Sequence, residues 1–102
     1  MDTLHLPAEL SIYTAAELHP QWLAWANQGG LDPQDALADG AAVDQIDGAG
    51  VQLLVALQRC LAARGCTLHL RAPSRSLRDA CAALGLAGWL ASLQDATPAE
   101  AA

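Results

Sequence analysis

The chain has 102 residues, 53% of them hydrophobic and 16% charged, with a formal net charge of −6. That length holds one core and one domain, and five basic residues are too few and too scattered to neutralise a row of phosphates, which excludes nucleic acid as a partner. Mean hydropathy is +0.21, yet no apolar run approaches the roughly 18 residues of a membrane span, and Met1-Asp2-Thr3 lacks the basic start of a signal peptide, so a cytoplasmic protein without direct membrane insertion is expected.

Leu4, Leu6, Leu10 and Ile12 suggest an extended opening interrupted by Pro7, which cannot donate to a ladder and so belongs at a sheet edge or across a bulge. Thr14 and Glu17 have capping-box spacing and open a helix from about Ala15 to Asn27, distorted near Pro20 and ended by Gly29-Gly30. Leu18, Trp22, Trp25 and Ala26 lie along one side of it. That spacing favours tryptophans that cover the core over an exposed recognition pair. Leu31 to Ala42 is small and polar, LDPQDALADGAA, whereas a buried parallel strand reads as a Val/Ile/Leu run. A strand around Ala36 to Ala38 is therefore expected to be short or weakly packed.

From Val43 to Gly65 the sequence VDQIDGAGVQLLVALQRCLAARG reads as a short strand, a tight turn and a helix. Gly48 and Gly50 can take positive φ or admit another backbone. Asp47 is placed to cap the helix through the amide of Ala49 or Gly50. Val51, Leu54, Val55, Leu57 and Leu61 recur at helical spacing, and Gln52, Ala56, Arg59 and Ala63 fall on the opposite side. Gly65 stops the helix as a C′ residue behind Arg64.

Cys66 to Leu70 alternates as a strand, Pro73-Ser74 turns the chain, and Ser76 with Asp79 offers a second capping box. Leu77, Ala80, Cys81 and Leu84 form the next helical stripe, ended by Gly85, and Leu86, Trp89, Leu90 and Leu93 complete the core. Residues 1–95 make a single domain and 96–102 a loose tail. The fold class is α/β, a mixed four- to five-stranded sheet with three to four helices packed on it.

Three cysteines with no CxxC pair read as buried small hydrophobes. His5, His19 and His69 are satisfied or surface histidines, so no metal site is expected. No nucleophile triad, P-loop or dinucleotide fingerprint is present, and no catalytic residue or cofactor is expected. An anion at the start of the central helix would meet the carboxylate of Asp47.

The order of a strand, Ile46-Asp47-Gly48-Ala49-Gly50-Val51-Gln52-Leu53-Leu54, a helix ending Arg64-Gly65 and a second strand resembles the STAS domain of anti-sigma-factor antagonists and sulfate transporters. Ala8-Glu9-Leu10 followed by Thr14-Ala15-Ala16, and Leu68 to Leu70 with Pro73-Ser74, Leu77 and Leu84-Gly85-Leu86, extend the resemblance over nearly the whole chain. It implies a non-enzymatic regulatory module that docks an anti-sigma-like kinase, a chemotaxis protein or a two-component protein. Asp47, Gly48, Ala49, Gly50, Gln52 and Arg59 would form the contact. The antagonists carry a phosphorylated Ser or Thr after the aspartate of the turn; this chain has Gly48 there, and Ser11 at a second, acidic family position. The resemblance therefore implies binding that is not switched at the usual residue. It also covers a small subunit that binds the ATPase of an ATP-binding-cassette lipid transporter, and it leaves a homodimer open.

Overall fold

A computed structural model of the chain describes residues 3–28 and 35–95. In chain order the elements are β1 (Leu4–His5), β2 (Glu9–Leu10), α1 (Ala15–Asn27), β3 (Asp35–Asp39), β4 (Gln45–Ile46), α2 (Gly48–Ala63), β5 (Thr67–Arg71), α3 (Arg75–Ala83) and α4 (Ala87–Asp95). The expected ends at Gly29-Gly30 and in the tail 96–102 lie outside the described residues.

Among the described residues the strands number five, but they form two sheets rather than one mixed sheet. One sheet has the order β1-β3-β5 and the other pairs β2 with β4. Every pairing among the described residues is parallel. Pro7 explains the division: it has no N–H for a ladder, and the chain passing through it leaves β1 on one sheet and β2 on the other. Crossovers through helices produce the parallel pairing.

The Ala-rich strand departs from its expectation. Strand β3 is as long as β5 and lies at the centre of the three-stranded sheet, with Ala36 and Ala38 fully buried. Small side chains here permit close packing. The next residue but one, Gly40, follows the same rule: a Cβ there would stand 3.0 Å from Leu77 Cδ2 and 3.3 Å from the Pro73 backbone.

Helix α1 runs from Ala15 to Asn27 as its periodicity predicts, through Pro20. Pro20 and Ala16, whose carbonyl loses its helical donor, are both exposed, where water can serve that carbonyl. Trp22 and Trp25 are buried and belong to the core. Thr14 is the N-cap residue, but its side chain makes no cap bond. The hydroxyl instead accepts from the Ser11 amide at 3.0 Å, because the loop before the helix competes for it. The second capping box is displaced too: Ser74, not Ser76, caps α3, accepting from the Leu77 amide at 3.1 Å. Asp79 instead lies 3.7 Å from Arg75, one turn earlier.

Helices α2 and α3 end alike. Gly65 and Gly85 take φ of 77° and 75°, and the amides of Cys66 and Leu86 return to the carbonyls of Leu61 and Cys81, both at 2.8 Å. These are Schellman endings, and the left-handed backbone is where a glycine is required. Leu84 does not continue the core stripe. It is the C-cap residue of α3 and is 50% exposed. Cys66 and Cys81 are buried, and Cys60 is half-buried. Burial also pushes the Cys81 thiol pKa up, which keeps it protonated.

Candidate functional site

The site is built where β2 and β4 deliver the chain to the start of α2. Asp47 leaves β4 with extended backbone, φ −121° and ψ −176°, the usual N-cap geometry. One carboxylate oxygen accepts from the Gly50 amide at 3.0 Å and the other from the Ile12 amide at 3.0 Å. The Asp47 amide in turn donates to the Leu10 carbonyl at 3.1 Å. One residue thus caps a helix and fastens to it a loop 35 positions earlier in sequence. The Ile12 amide first, and then that of Gly50, hold the carboxyl below the usual carboxylate range, since both bonds favour the charged form.

The two turn glycines do different things. Gly50 is buried, and a Cβ added there would stand 2.6 Å from the carbonyl carbon of Leu10, with the carbonyl oxygen closer still. Glycine is therefore needed for β2 to pass this close to α2. Gly48 has nothing within 4 Å of such a Cβ and is exposed. Neither glycine has positive φ.

Of the remaining candidates, Ala49 is half-buried and Gln52 is exposed in the second turn. Arg59, also exposed, shares the outer face but sits two turns further on, about 10 Å along the axis at 1.5 Å per residue. Ala56 and Ala63 are exposed with them, while Val51, Leu54, Leu57 and Leu61 are buried. The structure thus gathers Asp47, Gly48, Ala49 and Gln52 at one corner, sets Arg59 apart, and turns Gly50 inward.

Sequence reasoning missed the loop beside this corner. Ile12 was expected to extend the apolar opening, but it is 66% exposed and its neighbour Tyr13 is 86% exposed. The turn that exposes them is held by Ser11 and Thr14. Ser11 is buried, donates to a Glu9 carboxylate oxygen at 2.6 Å and accepts from the Tyr13 amide at 3.2 Å. Two hydroxyls three residues apart were the available signal, an ST-turn in prospect rather than only a helix cap.

His69 is the one buried histidine among the described residues. Its Nε2 lies 2.9 Å from an Asp35 carboxylate oxygen on the adjacent strand, and its Nδ1 has no hydrogen-bond partner. No group of three or more metal-ligating side chains occurs among the described residues, and no helix there is long and apolar enough to cross a membrane.

Parallel strands, crossover helices and a helix start fastened to an upstream loop define a small α/β domain. A family model described as Mlab, STAS domain matches residues 1–95, and the chain belongs to the STAS domain family. Domains of this family act through protein partners. No curated protein and no solved structure matches the chain.

Proposed function

We propose that this chain is a non-enzymatic regulatory module that docks a signalling partner, an anti-sigma-like kinase or a chemotaxis or two-component protein, through the Asp47–Gly50 turn and the outer face of α2. The observation that carries this reading is the open space at Gly48, at the tip of a helix whose start is held from two sides by Asp47. A rigid, uncovered backbone offers a partner close approach at little ordering cost. Asp47, Ala49 and Gln52 border that approach and Arg59 extends it.

Binding at this surface is not switched by phosphate at the turn, because residues 48–50 carry no hydroxyl. Ser11 is no substitute, since its hydroxyl is buried and engaged with Glu9 and Tyr13. A second reading uses the same surface for the ATPase of an ATP-binding-cassette lipid transporter; the description Mlab borne by the matched family, rather than that of the antagonists, favours it.

The test is an affinity capture from the native cell with the wild-type chain and Gly48→Arg. The arginine points into open space, so the variant keeps its unfolding temperature. One partner captured by the wild type and lost with the variant supports the docking surface, and its identity chooses between the two readings. Unchanged capture overturns both.

A further inference from the structure

The proposed docking corner has a neighbour with its own chemistry. Ile12 and Tyr13 are consecutive, 66% and 86% exposed, and a folded chain has no stability to gain from holding two such side chains in water. The loop that presents them is nevertheless fixed at every residue. The Ile12 amide donates to Asp47 at 3.0 Å, that of Tyr13 to the Ser11 hydroxyl at 3.2 Å, and that of Ser11 to the Thr14 hydroxyl at 3.0 Å. The Thr14 and Ala15 amides close the turn on the Ser11 carbonyl at 3.1 and 2.9 Å. A pre-organised aromatic–aliphatic pair of this kind is the usual composition of an interface anchor, because little entropy remains to be lost on binding.

Charge selects the kind of partner. Residues 8–17 and 44–52, which build this corner, contain Glu9, Glu17, Asp44 and Asp47 and no Lys or Arg. All five arginines of the chain lie between Arg59 and Arg78. An anionic lipid surface is repelled by such a rim, and a second copy would bring the same four carboxylates against these four.

Resting on the docking reading above, we infer that Ile12 and Tyr13 form an apolar anchor that enters a cleft in the partner protein rimmed by Arg or Lys, and that Glu9, Glu17 and Asp44 steer that rim. Asp47 serves both parts, since the carboxylate that caps α2 also holds the anchor loop.

The test pans a library of random linear peptides against the wild-type chain and, in parallel, against an Ile12→Ser/Tyr13→Ser double variant. Both side chains are exposed, so the variant unfolds at the wild-type temperature. The inference expects wild-type-selective peptides that combine an aromatic or aliphatic cluster with Arg or Lys. Their binding weakens about tenfold or more in either single variant, several-fold in Glu17→Lys, and with rising salt. Identical selections from the two proteins, or selective peptides without net positive charge, overturn it. Peptides lost with Gly48→Arg but retained by the Ile12→Ser and Tyr13→Ser chains also overturn it, while leaving the docking surface standing. Self-association of the wild-type chain abolished by the double variant, or binding to phosphatidylglycerol vesicles abolished in the same way, overturns it in favour of a second copy or a membrane.

Discussion

At the start of α2 a carboxylate oxygen of Asp47 accepts the amide of the third helical residue at 3.0 Å, and at the start of α3 the hydroxyl of Ser74 does the same at 3.1 Å. Within the helix the two caps are equivalent. The difference is the second carboxylate oxygen, which reaches the Ile12 amide, together with Gly50, which lets Leu10 lie against the first turn. Both cap residues tie back through their amides, Ser74 to the Gly40 carbonyl and Asp47 to that of Leu10, each at 3.1 Å, but the Ser74 hydroxyl serves only its own helix, whereas the Asp47 carboxylate also holds a loop. A cap residue therefore becomes part of a site when it has an oxygen left over after capping.

That contrast can be broken most forcefully at Gly50. Gly50→Ala places a Cβ against the Leu10 backbone, which cannot rotate away as a side chain would. A loss of about 3 kcal/mol or more is expected, a fall of roughly 12 to 24 °C in Tm for a domain of this size, read by thermal unfolding. A fall of only a few degrees would mean that β2 is free to retreat from α2.

The two caps give the next effect. Ser74→Ala should cost about 1 kcal/mol and leave amide exchange outside α3 unchanged. Asp47→Ala should lower Tm further and accelerate hydrogen exchange at the Ile12 amide, a residue it does not adjoin in sequence. Equal and purely local effects would make the two caps alike after all. Because the folded-state pKa of Asp47 is lowered, its contribution is complete above the unfolded carboxylate value of about 4. It is lost as pH falls through the lower folded value. Asp47→Asn should thus be less stable than wild type at neutral pH, and the gap should close on acidification.

The smallest effect belongs to Gly48. Gly48→Ala meets no atom within 4 Å and should change stability by no more than about 0.5 kcal/mol in either direction. Gly48 and Gly50, two residues apart, should therefore respond to the same methyl group with effects of very different size.

Local chemistry was legible in the sequence, and contacts across the fold were not. The span of α1, the Asp47 cap and the Gly65 ending each follow from residues within one turn of one another. Thr14 was misread because its hydroxyl has two local uses, as a helix cap and as a loop tie, and the sequence does not rank them. Small residues in β3 looked like weakness because side-chain size says nothing of how near a neighbouring layer stands. At the candidate site, the glycine pair and the aspartate were visible. The division of labour between the glycines was not, since it depends on where Leu10 arrives. Ile12 and Tyr13 were hidden for the same reason: an apolar residue announces burial unless the fold has turned it out.

The parallel pairing of the described strands carries a consequence for how the protein is made. Leu4 pairs with Ala38, Glu9 with Gln45 and Ala36 with Leu68, so every ladder joins segments more than 30 residues apart. A nascent chain emerging from its N-terminus has no partner for β1 until β3 has been synthesised. The three-stranded sheet cannot close until Arg71 is out. Such non-local pairing is slow, and the apolar half of α2 meets water before the strand that follows it exists. Translation is therefore the interval in which this small domain is most exposed to aggregation and most dependent on chaperones.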